Sequence, residues 1–308
     1  MLKLESMAAF VSIAETGSIT AAARRLALSK SVVSERLAEL ERNLGIKLVH
    51  RTTRKLQLTE EGEAFCARAR LILRDVEGVA AELVERRGKL AGRLRISAAV
   101  SFGTLHLGPA LFGFLAKHPD IELTLELEDR FVDLLAEGYD AIVRHGPVDD
   151  KRIIVKRLAA SRRVLVASPE YLRRHGRPTS VQDLEHHRGI IHSNRGAADW
   201  RFRTGRKFVT VHPGAAVNVN NGLLMRDAAV AGLGIALLAT FILDVPLKQR
   251  LLEVIDVGAE AEGATIYIAY PEHARSSGKI RALTAWLQQF FGGEFPYWDK
   301  TPPPGSRR

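Results

Sequence analysis

The chain reads as α/β overall, in three parts: an N-terminal winged helix-turn-helix, a long linker helix of coiled-coil type, and a C-terminal two-lobed α/β domain. Three observations predict this. Residues 15–62 contain two short amphipathic helices separated by a tight polar break and followed by a basic segment. A long helix with an apolar heptad seam comes next. From about residue 89, strand-like and helix-like segments alternate, as parallel α/β architecture demands.

The first helix sets Leu4, Met7, Val11 and Ala14 on one stripe. In Ser18–Leu26 the small side chains of Ala21, Ala22 and Ala23 allow a neighbouring helix to approach closely. Ala27-Leu28-Ser29 makes the turn, and Ser29 is a good N-cap, because its hydroxyl can accept from a free backbone N–H. The next helix buries Val33, Leu37, Leu40 and Leu44, while Lys30, Ser31, Ser34 and Glu35 occupy the other face near its start. A DNA-reading helix-turn-helix needs this arrangement, since the first turns of its second helix enter the major groove. Gly45 ends that helix. Ile46–Leu48 and Leu56–Leu58 then flank Arg51-Thr52-Thr53-Arg54-Lys55, a pattern that predicts a two-stranded wing with its tip on phosphates. The alternative for the basic run is a solvated loop.

Charge agrees with a polyanion partner for the head. The whole chain carries 45 Lys and Arg against 35 Asp and Glu, and residues 1–58 hold ten Lys and Arg against five Glu. Neutralised phosphates release counterions, which favours such a partner. Lys30, Ser31, Ser34 and Arg36 are expected near base edges, with Ser29 at the helix start. Arg24, Arg51, Arg54 and Lys55 are expected on phosphates. The alternative for each base reader is ordinary solvation of a helix surface.

Thr59 caps a long helix predicted over Glu60–Arg87. Along it Phe65, Ala69, Ile72, Val76, Val79 and Leu83 recur at alternating spacings of four and three, the a/d seam of paired helices. At about 1.5 Å per residue such a rod is about 42 Å long. Dimerisation is the expected use of the seam; packing on its own domain is the alternative. Two heads are also what DNA half-sites one helical turn apart require.

Gly88–Gly92 reads as a hinge. Strands are expected at Arg93–Ala98, Ile121–Leu127, Ala141–Arg144, Arg163–Ser168, Gly189–His192, Ala216–Val219, Gly234–Leu238 and Thr265–Tyr270. Helices are expected at Phe102–Lys117, Phe131–Glu137, from Pro169, at Gly222–Ala231 and at Gly278–Phe291. The resulting domains are 1–59 for DNA, 60–88 for the linker and 89–291 for regulation. Within the last, lobe I spans about 91–161 and 265–291, and lobe II about 162–264. Residues 292–308, with Pro302-Pro303-Pro304, are expected to form a loose tail.

Other classes are disfavoured. Cys66 is the one cysteine, which rules out an internal disulfide and a multi-cysteine zinc site; it reads as a semi-buried helix residue. No apolar leader with a small-residue cleavage site opens the chain, and no apolar run reaches the ~18 residues of a membrane span. A soluble, cytoplasmic protein is expected. Gly232-Leu233-Gly234 imitates a dinucleotide fingerprint but sits where a helix leads into a strand, the reverse of the required order, and reads as a helix C-cap. His186-His187 with His192 lack carboxylate or cysteine partners at ligand spacing, so no metal is expected. Nor does any nucleophile elbow, P-loop or catalytic carboxylate pair appear, so no catalytic residue is expected. A solute-binding protein with an incidental head and an enzyme using the cleft are the competing readings.

The pattern Phe10…Gly17-Ser18…Ala22-Ala23…Leu26…Ser29…Val33-Ser34…Leu37…Leu40-Glu41…Leu44-Gly45…Leu48…Arg51…Leu58-Thr59…Gly62 resembles the head motif of LysR-type transcriptional regulators in order and spacing. The second half is similar to that family's regulatory domain, itself like periplasmic solute-binding proteins, through Ala167-Ser168-Pro169-Glu170-Tyr171-Leu172, Asp183-Leu184-Glu185-His186-His187 and Gly232-Leu233-Gly234-Ile235-Ala236. The ending Phe295-Pro296-Tyr297-Trp298-Asp299 resembles one large subgroup. Lys30 and Ser31 stand where the family often has Gln and Pro, Glu35 where a basic residue is common, and Val49 where Phe is usual.

The resemblance implies a nucleoid-associated homotetramer, a dimer of dimers, that bends double-stranded promoter DNA under control of a small-molecule effector. No cofactor is implied, and RNA polymerase is a further expected partner. For the effector, Ser101 and Phe102 lie at a helix start just after a strand, where free backbone N–H groups favour an anion; a plain N-cap is the alternative. Family matching adds Arg144, His145, His192, Ser193, Asn220 and Asn221 at carboxyl ends of strands, where ligands of open α/β sheets bind. A small carboxylate is the expected ligand.

Overall fold

A computed structural model describes residues 1–51, 56–85, 89–146, 152–194, 200–292 and 296–299. Contacts divide the chain into two compact units, Met1–Leu90 with the short segment Asp133–Gly138, and Ala91–Val132 with Tyr139–Arg308. Among the described residues no helix is long and apolar enough to cross a membrane.

The first unit opens with α1 (Leu4–Thr16), α2 (Ile19–Arg25) and α3 (Lys30–Leu44). Met7, Phe10, Val11 and Ile13 of α1 pack with Ala22 and Ala23 of α2 and with Val33, Leu37 and Leu40 of α3. Each fully buried large apolar side chain contributes about 1.5–3 kcal/mol, so this stripe-on-stripe packing holds three short helices that would be marginal alone. Gly17 and Gly45 end α1 and α3 with φ of 63° and 70°, a region glycine enters without a side-chain clash. β1 (Val49–Arg51) and β2 (Leu56–Leu58) pair antiparallel, with Val49 opposite Leu58. The wing is therefore formed. Its connection, with Arg54 and Lys55, and the side chain of Arg51 lie outside the described residues.

α4 (Glu60–Glu85) follows. Thr59 caps it: its Oγ1 accepts from the Gly62 N–H at 2.9 Å and donates to the Lys47 carbonyl at 2.8 Å. Gly62 is needed here, because a Cβ would sit 2.1 Å from the Leu48 carbonyl oxygen. The heptad seam does not run as one free stripe. Ala69 is fully buried in the head core, with Phe65 and Leu73 packed against that core, and the Phe65 ring lies 5.8 Å from Phe10. Cys66 is buried in the same cluster. Ile72 and Val76 are each 45% exposed, and the side chains of Val79 and Leu83 lie outside the described residues. The first turns of α4 thus serve their own domain, which corrects the expectation of a seam devoted to pairing from Phe65 onward.

The second unit begins with β3 (Gly92–Ala98), α5 (Val100–Phe102), a π-helical stretch over Gly103–Leu107, α6 (Gly108–Lys117), β4 (Ile121–Leu127), β5 (Ala141–His145) and β6 (Ile153–Ser161). It continues through β7 (Arg163–Ala167), α7 (Pro169–His175), β8 (Arg188–His192), β9 (Arg201–Thr204), β10 (Lys207–Thr210) and β11 (Gly214–Val219). α8 (Gly222–Val230), β12 (Ile235–Ala239), α9 (Asp244–Lys248), β13 (Glu253–Ile255), β14 (Glu260–Ala261), β15 (Ala264–Pro271) and α10 (Gly278–Phe291) complete it.

One five-stranded sheet has the order β4-β3-β5-β15-β6, and a second has β11-β8-β12-β7-β13. β3 pairs parallel with β4 and β5, whereas β15 runs antiparallel to β5 and β6. In the second sheet β8 is parallel to β11 and β12, and β7 is antiparallel to β12 and β13. Both sheets are therefore mixed rather than parallel. A three-stranded sheet, β10-β9-β14, adds to the second lobe. Central strands are continuous apolar runs, as sheets covered on both faces require: Ile235, Ala236, Leu237 and Leu238 are all buried. Leu165 and Ala167 face one cluster with Trp200 and Phe202, while Val166 faces the other with Met225 and Leu243. The chain crosses between the sheets at Arg162, and returns at Glu262-Gly263.

Two expectations are corrected. Phe131–Glu137 is not a helix. The Asp133 carboxylate accepts from the N–H groups of Leu135 and Ala136 at 3.0 and 2.9 Å, a local turn that competes with helix, and Gly138 closes it with φ 67°. Residues 296–299, read as part of a loose tail, form a 3-10 turn (Tyr297–Asp299) with Pro296 buried.

Candidate DNA interface and effector crevice

The helix-turn-helix geometry follows from local chemistry. The Ser18 hydroxyl accepts from the Ala21 N–H at 3.4 Å and starts α2. At Ala27 the chain turns through φ 52°, and the Leu28 N–H returns to the Ala23 carbonyl at 2.9 Å. Ser29 then starts α3, its Oγ accepting from the Val32 N–H at 3.3 Å and lying 2.8 Å from the Ser31 hydroxyl. Lys30, Ser31 and Glu35 are exposed on the first turns of α3, while Ser34 and Arg36 are half-buried. Arg24 is exposed on α2. Its neighbour Arg25 instead pairs with Glu15 at 2.6 Å.

Sequence reasoning missed what ties α3 to the wing. Glu41, 5% exposed, accepts from the Leu48 N–H at 3.0 Å and from the Lys47 ammonium at 2.7 Å. Burial pushes its carboxyl up, yet Lys47 and the Leu48 and Val49 N–H groups together hold it below the usual carboxylate range. The charge is placed to receive a buried N–H that would otherwise be orphaned.

In the second unit a crevice opens between the two sheets. Ala99, Ser101, Asp129 and His145 line it from the first lobe, and Arg163, His192, Gly222 and Met225 from the second. Leu237, Phe241 and Ile242 give it an apolar wall, and Ser161 and Ala264 lie where the chain crosses. Of the expected effector residues, Ser101, His145 and His192 are brought together here. Asn221 stands beside them: its Oδ1 caps α8 through Leu223 and Leu224, and its Nδ2 donates to Asp129 Oδ2 at 2.7 Å.

Four expected residues are not brought to the crevice wall. Phe102 is 1% exposed and belongs to an aromatic cluster with Phe241, Phe291 and Trp298. Arg144 donates to Ser97 Oγ at 2.7 Å and to the Val143 carbonyl at 3.2 Å; burial pushes its guanidinium down. Ser193 and Asn220 are exposed at strand ends, with the Ser193 N–H on the Val219 carbonyl at 2.9 Å. One backbone N–H at that helix start is also taken: Asp129 Oδ1 accepts from Val100 N–H at 3.0 Å. Asp129, Ser161 and Arg163 are crevice residues that sequence reasoning passed over. Their signal was position, at the ends of β4 and β6 and the start of β7.

Gly232, with φ 75°, ends α8: its N–H reaches the Ala229 carbonyl and that of Leu233 the Ala228 carbonyl, each at 3.1 Å. This is the helix C-cap expected of the glycine pair.

A winged helix-turn-helix joined to a two-lobed α/β domain with a polar-rimmed crevice defines a ligand-responsive DNA-binding regulator. Residues 4–63 match the bacterial regulatory helix-turn-helix protein, lysR family, and residues 87–292 match the LysR substrate binding domain. The chain belongs to the LysR family of transcriptional regulators, which are not enzymes. It is 32% identical to an HTH-type transcriptional regulator of Haemophilus influenzae, over 92% of this chain and 99% of the relative. It is 31% identical to the Escherichia coli regulator DmlR, over 95% of this chain and 96% of that one. Among solved structures, full-length AphB of Vibrio cholerae is similar at 26% identity with a TM-score of 0.63, covering 94% of this chain and 99% of AphB.

Proposed function

We propose that this regulator reads promoter DNA through the first turns of α3, with Lys30, Ser31, Ser34 and Arg36 at base edges. Ser29 fixes the helix start, and Arg24 with the wing residues Arg51, Arg54 and Lys55 neutralises phosphates. The observation that carries the reading is the exposure of Lys30 and Ser31 at the capped start of α3. A small effector in the crevice meets Ser101, His145, His192, Ser161 and Arg163. An anionic effector such as a small carboxylate is met by Arg163 and the histidines beside Ser101, the Val100 N–H being held by Asp129.

Two copies pair along α4 through Ile72 and Val76, whose exposed apolar groups gain from burial, with Val79 and Leu83 continuing the stripe. Two such dimers form a homotetramer that acts at the nucleoid in the cytoplasm and contacts RNA polymerase. The test is binding of Lys30→Ala and Arg24→Ala to an operator and to scrambled DNA over a salt series. Lys30→Ala relaxes preference between sequences, a good base contact being worth about 1–3 kcal/mol. Arg24→Ala weakens both alike and lowers the salt slope by about 0.9. Unchanged binding by both variants would remove α2 and α3 from the DNA.

A further inference from the structure

The C-terminal turn converges on the point where the two lobes join. Asp299, its side chain only 7% exposed, places Oδ1 3.4 Å from Nη2 of Arg162, the single residue between β6 and β7. The Tyr297 hydroxyl is hydrogen-bonded to His106 Nδ1, and His106 Nε2 lies 3.0 Å from the Phe241 carbonyl. The Trp298 ring lies 4.8 Å from His106, 5.9 Å from Phe291 and 6.1 Å from Phe241. Phe241 in turn is a crevice wall, stacked on His145 at 5.3 Å and 18°. The Arg162 carbonyl accepts from both the N–H and the hydroxyl of Thr240, at 2.9 and 3.3 Å. One short turn, anchored on α10 and the helical segment of the first lobe, therefore touches the crossing and backs the crevice wall.

We propose that Pro296–Asp299 is a hinge clamp: Asp299 fixes the Arg162 crossing, and Tyr297 and Trp298 position Phe241 and His145 from behind. The physical argument is local. A one-residue crossing absorbs the φ/ψ change when lobes rotate about it. Such a rotation moves the guanidinium off a nearly buried carboxylate and breaks a charge-assisted contact. It also shears aromatic edges packed at about 5–6 Å, the spacing at which such pairs attract. The turn thus sets how readily the crevice opens and closes. Its consequence for regulation rests on the crevice being the effector site; the clamp itself is tested without any ligand.

The experiment is hydrogen exchange by mass spectrometry on the full chain, comparing the natural protein with Trp298→Ala and Asp299→Asn. Asp299→Asn is the milder change and guards against a folding defect in the first. Trp286→Phe is the control: its indole donates to the Ala110 carbonyl at 2.8 Å on the first lobe, away from the crossing. With the clamp, exchange over 160–164 and 239–243 rises about tenfold in both turn variants, while β3 and β8 keep their natural rates and the control leaves the crossing unchanged. Unaltered exchange at the crossing overturns the proposal. So does a rise spread evenly over both lobes, since that marks ordinary loss of stability.

Discussion

Replacing Glu41 by alanine separates a buried acceptor from a surface ion pair. In the native head the Glu41 carboxylate receives the N–H of Leu48, a residue with 0% exposure, and the ammonium of Lys47, whose side chain is 77% exposed. Stranding a buried N–H that was bonded to a charged group costs about 1.5–3 kcal/mol. Loss of the Lys47 pair adds only about 0–1 kcal/mol, because water screens it. Glu41→Ala is therefore expected to destabilise the head by about 2–4 kcal/mol, and Lys47→Ala by less than about 1 kcal/mol. For a unit of this size that is a fall of at least about 10 °C in the head's Tm for Glu41→Ala. The transition is separable in the full chain: Trp200, Trp286 and Trp298 all lie beyond residue 91, so tryptophan fluorescence follows the second unit while calorimetry follows both.

The pH dependence has a definite sign. The folded Glu41 carboxyl lies below its usual range, so its contribution is present above an unfolded pKa of about 4.3 and is lost as pH falls through the folded value. Glu41→Ala should remove that acid-side slope from the head transition. Equal melting of Glu41→Ala and Lys47→Ala would make the exposed pair, not the buried N–H, the source of stability.

Other perturbations follow from the same geometry. Ala27→Gly should stabilise the head by up to about 1 kcal/mol in denaturant titration, because the turn at φ 52° strains any residue with a Cβ; a loss would mean that the Ala27 methyl packs usefully. Gly62→Ala should lower the head's Tm by more than Lys47→Ala does, since its Cβ would meet the Leu48 backbone at 2.1 Å. Burial pushes the His106 imidazole down despite the Phe241 carbonyl, which favours the charged form. Stability of the second unit from this group is thus full above pH about 6.5 and declines as pH falls, a slope that His106→Gln should flatten in fluorescence melts.

The head was legible because its signals are local. Alanines at the α2–α3 contact, the Ser29 cap, and glycines at 17 and 45 each act within one helical turn. Glu41 was not, since its partner lies seven residues on, just before a strand whose position depends on the folded wing. In the second unit, β12 announces itself as an unbroken apolar run. β6 does not: Lys156 and Arg157 interrupt it, as an edge strand of its sheet permits. Phe131–Glu137 carries helix formers, but the Asp133 side chain wins locally. The crevice was half legible. Strand ends pointed to Ser101, His145 and His192, but Asp129 on Val100 is a contact across 29 residues. Pro-rich composition masked the docking of Tyr297 and Trp298, which depends on an aromatic cluster assembled from distant segments.

In the proposed function one unit grips DNA while ligand in the other alters the grip. Footprinting on the DNA upstream of the protein's own gene, with and without a pool of small metabolites, tests it most directly. The expected result is a protected operator whose footprint changes with one metabolite. Met225→Trp, which fills the crevice from a residue 2% exposed, should keep the protection and lose the change. Protection that responds identically in Met225→Trp, or no protection at any salt concentration, would contradict it.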